Sequence, residues 1–195
     1  MKKLVVAALL LSVLNTAVFA GTFKPMIGYG TLLSPSLPDM SAVGHTETKG
    51  GLNYGIQYIF SEGKTSYGLE IASLNLYDYK YSQTYLSGFT LATAEVGASI
   101  TSIPILCILY HDLSDSNEGF APYFQGGLGL FMNTAKVKFT QTFIGRVESS
   151  TSSSDLGGFV GLGAKMSKLD IAAKYYFIQM DESATMFNLT AGINF

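Results

Sequence analysis

Few side chains in this sequence are of a type and spacing that could do chemistry. His45 and His111 are the only histidines. Nucleophilic catalysis needs a nucleophile, a base and an orienting group held together. His111 has Asp112 and Ser114 beside it in HDLSDS, which reads as a short turn, and His45 lies in a polar stretch with no partner near it in sequence. That leaves no catalytic constellation, so a non-enzyme is expected. Asp112, Asp115 and Glu118 carry hard oxygen ligands, but they lack the ordered spacing of a calcium loop and read as solvated turn acids. The glycine-rich stretches 126–129 and 157–163 precede no helix whose N-terminus could hold a phosphate. No metal and no cofactor is expected. The polar residues left to consider are Glu70, Gln125, Lys165, Asp170 and Lys174, each set among small residues at alternate positions.

What must position them is a set of strands, because the strongest periodicity in the chain is two. In LNYGIQYIF the residues Leu52, Tyr54, Ile56, Tyr58 and Phe60 share one face, against Asn53, Gly55, Gln57 and Ile59. Leu169 to Phe177 and Met186 to Phe195 repeat the split, and weaker versions start near Phe23, Tyr67, Tyr123 and Val160. A segment from Ser99 to His111 is apolar almost throughout, and Pro104 within it suggests a bulge or a strand start. These are eight strand candidates. Long polar links at 34–51, 75–97 and 132–157 alternate with short ones at 61–66, 112–119 and 167–168, and a further link, 178–184, stands on the long side of the alternation though it is short. That is the pattern of an up-and-down antiparallel meander with two different rims.

The chain has 195 residues, 48% hydrophobic and 13% charged, with formal net charge −2. The charged fraction is about half that of a soluble domain, and no basic stripe is present to meet nucleic acid. Lys2 and Lys3 precede an apolar run from Leu4 to Leu14, too short to span a bilayer, followed by small residues. The expected organisation is a secretory signal peptide over 1–20, cleaved between Ala20 and Gly21, and one barrel domain over 21–195. Cys107 is the only cysteine, so the exported chain has no internal disulfide. With so few charges to cover an exterior, the large apolar face suits lipid and the small or polar face suits the interior of a narrow closed barrel.

In these respects the sequence resembles the small eight-stranded bacterial outer-membrane barrels of the OmpA, OmpX and OmpW type. The resemblance rests on the N-terminal segment, the strand pattern, APYFQGGLGL at 121–130 and the terminal TMFNLTAGINF. It implies an all-β, eight-stranded, antiparallel transmembrane barrel in a Gram-negative outer membrane, with lipid, lipopolysaccharide and the barrel assembly machinery as partners. Phe187, Leu189, Ile193 and Phe195 look like the signal that machinery reads. Some barrels of the class modify lipid A with a His and a Ser on their outer part, but His111 falls on the opposite rim.

Within such a barrel, a two-residue turn at Ser167 and Lys168 sets Lys165 opposite Asp170 for a cross-strand ion pair. Glu70 and Lys174 sit at similar depths, which predicts a bridge through the lumen. That bridge reads as an ionic plug, with a gate as the alternative. Tyr77, Tyr79, Tyr81 and Tyr85 read as an interfacial girdle, with an adhesive loop as the alternative. The expected function is a structural scaffold whose exposed loops meet a host, phage or neighbouring cell. A narrow channel for small or greasy solutes, and a lipid-modifying enzyme, are the alternatives.

Overall fold

A computed structural model of the chain describes residues 21–34, 45–60, 63–114, 119–179 and 183–195. The expected signal segment 1–20, Asp115 and Glu118 lie outside them. Nine strands follow in order: β1 (Thr22–Ser34), β2 (His45–Lys49), β3 (Gly51–Ile59), β4 (Thr65–Ser87), β5 (Thr90–Asp112), β6 (Phe120–Gln141), β7 (Gly145–Met166), β8 (Leu169–Gln179) and β9 (Ala184–Ile193). All pairings are antiparallel, and β4 pairs with both β3 and β5, so eight of the strands close into a ring. The ninth, β2, is the outer half of the arm that β3 begins. Gly50 separates the two at φ +107°, a conformation costly for any residue with a Cβ, and sends β2 along the outer part of β4. The seam closes from both ends of the chain, since Phe23 N–H donates to the Phe195 carbonyl at 3.2 Å and Phe195 N–H to the Phe23 carbonyl at 3.0 Å. Closure leaves no strand edge facing hydrocarbon.

Alternation along each strand divides the side chains as a membrane requires. Leu52, Tyr54, Ile27, Leu128, Leu162, Ile171 and Leu189 are exposed on the outside, while Lys24, Gln57, Glu70, Gln125 and Lys174 are buried within. The inward glycines make space for larger neighbours, for a Cβ on Gly127 would stand 2.6 Å from the Phe159 ring and one on Gly163 2.3 Å from Tyr123. Pro104 makes neither a strand start nor a bulge. It lies within β5 opposite Phe131 of β6, and the β4–β5 ladder lapses beside it between Ile71–Ile105 and Leu74–Ser102 without a change of register, as a residue lacking N–H requires.

The long links read from sequence as loops at 75–97 and 132–157 are strand. The β4–β5 hairpin turns at Gly88 and Phe89, and the β6–β7 hairpin at residues 142–144. The Ser/Thr-rich stretch ESSTSSSD at 148–155, within the expected 132–157 link, is strand in β7 and pairs with β6 throughout. Short, polar side chains carry no apolar alternation where both faces meet water, so no period is legible there. Beyond the apolar band, β4 to β7 run on for roughly ten residues each, a projection about 25 Å tall at the usual strand rise and tilt. Hydrogen bonds between Thr93 and Thr142, including 2.8 Å from Thr93 N–H to Thr142 Oγ1, brace its two hairpins.

The projection also reverses the face chemistry. A register shift between Asn75 and Tyr77 moves β4 by one residue, so that Tyr77 pairs with Ile100 and Tyr79 with Ala98 on the face continuing the lumen. Tyr77 and Tyr79 are buried, and no lipid-facing girdle is formed by these tyrosines. One inserted residue exchanges the faces of everything after it. Val96, Val137 and Phe139 share the tyrosines' face, while Lys80, Glu95, Lys136 and Lys138 take the outward one.

Candidate functional site: the lumen plug and the outer projection

The strands bring their inward polar residues into one network near the rim that holds both chain ends. Lys174 Nζ donates to Glu70 Oε2 at 2.6 Å, with both side chains wholly buried. Two neutral donors complete that carboxylate: Tyr176 OH to Oε1 at 2.7 Å and Gln57 Nε2 to Oε2 at 2.5 Å. Lys174 also lies 4.8 Å from the Phe159 ring centre, a cation–π contact. A second pair, Lys24 Nζ and Asp170 Oδ1 at 3.1 Å, is equally buried, and Tyr123 OH donates to the same oxygen at 2.7 Å. Tyr110 connects the two pairs, taking a hydrogen bond from Lys24 and donating to Gln57 Oε1 at 2.5 Å. Gln125 accepts from Gln57 at 3.4 Å.

Glu70 and Lys174 therefore meet where the sequence sets them at matching depths. Lys165 and Asp170 do not pair. Their backbones stand opposite each other, but Lys165 reaches Asp112 at 3.0 Å, while Asp170 turns inward to Lys24. The correction follows from position. Lys165 stands at the partly exposed rim beside a solvated carboxylate, whereas Asp170 is buried and needs a buried cation. Lys24, Gln57, Tyr110, Tyr123 and Tyr176 complete the network. Lys24, Gln57, Tyr123 and Tyr176 fall on the small or polar side of the strand alternation, so that face was their signal; Tyr110 lies in the segment that is apolar at nearly every position, where no face could be read. Nothing in sequence says which residues of eight separate faces meet.

Outward of this ionic layer the interior is filled by a mostly apolar cluster. Leu32, Leu74, Phe131, Phe159, Ile178 and Met186 are buried together, with Ser102 beside Leu74 and an Asn53–Asn188 amide pair at 3.3 Å among the buried side chains. An ion crossing the barrel would first break two buried pairs and then shed its water in this packed layer. Near the outer rim, Asn133 Nδ2 donates to Asp155 at 2.7 Å.

For other chemistry the described residues offer little. His111 Nδ1 is 2.8 Å from Thr65 Oγ1 at the rim, and the His45 side chain lies outside the described residues. Among the described residues no three His, Cys, Asp or Glu are grouped to hold a metal ion. Phe187, Leu189, Ile193 and Phe195 are all exposed on the outside, at the end of β9 and just beyond it.

Solved structures of several bacterial proteins resemble this one. Ail, the attachment invasion locus protein of Yersinia pestis, in complex with the heparin analogue sucrose octasulfate, matches with TM-score 0.48 and 16% identity over 91% of this chain and 100% of its own. Neisserial surface protein A matches with TM-score 0.44 and 14% identity over 90% and 97%. The N-terminal β-barrel domain of Pseudomonas aeruginosa OprF matches with TM-score 0.42 and 10% identity over 90% and 100%. All three are small eight-stranded outer-membrane barrels. No family model and no curated relative matches the chain.

Proposed function

We propose that this chain is a non-enzymatic barrel of a bacterial outer membrane, exported by its N-terminal segment, that acts as a rigid support for a surface-contact element. The observation that carries the reading is the outer part of β7. Its pairing with β8 begins at Leu156, so Arg146 to Asp155 have β6 on one side and, among the described residues, no strand on the other. Soluble sheets guard such an edge with lysines, prolines or bulges. This one carries five serines, a threonine, Val147, an Arg146–Glu148 pair and, at its inner end, Asp155 engaged by Asn133 and Ser153, with no lysine or proline. An extended segment of another protein can add to it through main-chain hydrogen bonds, with little demand on side chains. The filled lumen supports the same reading, since transport needs a passage. The adhesive element is then a sheet edge, in place of the loops expected from sequence.

The test is adherence to cultured epithelial cells by bacteria displaying the protein, against a double variant, Ser149→Lys with Thr151→Lys, that charges the edge on the face continuing the lumen. Adherence should fall to the level of cells lacking the protein, at equal surface abundance. Unchanged adherence would remove the edge from the function, and stepwise conductance in planar bilayers would favour passage of solutes.

A further inference from the structure

The two hairpin tips of the projection carry a surface that contact through the β7 edge does not use. Leu86, Phe89 and Leu91 at the β4–β5 tip, and Phe143 and Ile144 at the β6–β7 tip, are all exposed. Leu86 and Leu91 are cross-strand partners close below the turn that holds Phe89. The tips stand about 25 Å above the apolar band, out of reach of the bilayer that the barrel itself spans. Large apolar side chains gathered at the far end of a water-facing projection call for a covering partner.

The chemistry of the tips selects a lipid surface. Residues 83–94 and 139–145 hold no Asp, Glu, Lys, Arg or His, and the first charged side chains stand on the rung of Ser82, Glu95, Thr140 and Arg146 beneath them. No ion is therefore desolvated when the tips leave water. The main chain is provided for as well. The β4–β5 ladder is paired as far as Ser87 and Thr90, Thr142 N–H donates to the Thr93 carbonyl at 3.1 Å, and Ile144 N–H donates to the Gln141 carbonyl at 3.2 Å. Backbone so paired enters an apolar layer at little cost.

Shape separates a bilayer from a protein partner. Because Thr142 meets Thr93, the β4–β5 hairpin runs three rungs past the β6–β7 turn, about 7 Å at the usual rise and tilt. Gln141 Nε2 donates to Tyr85 OH at 2.5 Å and fixes that stagger. A protein would have to present two apolar pockets at this offset, whereas a bilayer accepts apolar points at any lateral spacing. The stagger also fits the depth of about 5–10 Å to which an apolar face sinks into a membrane interface. Phe89, Leu86 and Leu91 lead, and Phe143 and Ile144 follow at the headgroup level. Below them Asp78, Glu95 and Glu148 offset Lys80, Lys138 and Arg146, so charge selects no anionic lipid and a zwitterionic surface is sufficient.

We propose that the two hairpin tips insert Phe89, Leu86, Leu91, Phe143 and Ile144 into an apposed bilayer of zwitterionic lipid, such as the surface of another cell. The inference rests on the outer-membrane orientation proposed above, but not on the β7 edge. The chain has no Trp, so Phe89→Trp places a single reporter at the tip. The full-length mature protein carrying it, held in phosphatidylcholine nanodiscs, is mixed with phosphatidylcholine vesicles whose acyl chains are brominated. Its emission should shift to the blue and be quenched saturably, with little change between low and high salt, and wild-type protein should compete. Tyr54→Trp, which faces the lipid of the protein's own disc, should stay unquenched and so exclude lipid exchange. Adding Leu86→Ser/Phe143→Ser/Ile144→Ser to Phe89→Trp should weaken binding by about tenfold or more, and all three side chains are exposed, so the barrel should still fold. The Ser149→Lys/Thr151→Lys edge variant should bind as wild type, so failure of the edge reading and failure of this one are told apart. Absence of quenching, full binding by the folded triple variant, or binding that needs anionic lipid would each overturn the proposal. So would a blue shift that grows with protein concentration without vesicles, which assigns the tips to a second copy, or one seen only with protein-bearing cell membranes, which assigns them to a protein.

Discussion

Replacing Glu70 by methionine tests whether the plug is held as a charge network. Methionine has nearly the volume of glutamate, so packing is preserved while one charge is removed. Among the described residues Lys174 would keep the Met26 sulfur at 3.8 Å and the Phe159 ring at 4.8 Å. Breaking a buried pair in this way costs about 3–5 kcal/mol, because an uncompensated charge stays inside. The reciprocal change, Lys174→Met, leaves the Glu70 carboxylate with its bonds from Tyr176 and Gln57, so it should cost less, about 2–3 kcal/mol. The double variant removes both charges together and should be less destabilised than Glu70→Met alone, a coupling of at least about 2 kcal/mol. Urea unfolding in detergent micelles, read by the mobility difference between folded and unfolded barrels on gels, measures all three. Additive effects, or a Glu70→Met cost below about 1 kcal/mol, would refute the reasoning by showing that water or a relaxed lumen solvates the lone lysine.

Two further outcomes follow from the exterior. Phe195→Ala, at the strand end that closes against Phe23, should lower the heat-resistant, protease-protected fraction in outer membranes; an unchanged folded yield would leave Phe195 as an ordinary apolar strand end. Cys107 is exposed on the outward face of β5 between Ile105 and Leu109, so a charged, water-soluble maleimide should leave it unlabelled in intact bilayers and label it after unfolding in urea. Equal labelling before and after unfolding would place that face in water.

What the sequence disclosed, and what it hid, divides at the membrane surface. Where one face meets lipid and the other a narrow interior, the solvents differ sharply and a period of two is written into the chain, as in LNYGIQYIF and the last strand. Glu70 and Lys174 were legible as partners because both lie within that regular register. Above the membrane both faces meet water, the alternation fades, and Glu148 to Asp155 look like a loop although they are strand. The four tyrosines misled for a related reason: the shift between Asn75 and Tyr77 leaves no compositional mark, yet it exchanges the faces of β4 beyond it. The same shift sets Lys80 level with Gly97 on the outward face. Had β4 kept its register, Tyr79 would stand opposite Gly97, and Tyr79 and Tyr81 would both face outward. A change of one residue in β4 thus decides whether this outward face carries rings or charge.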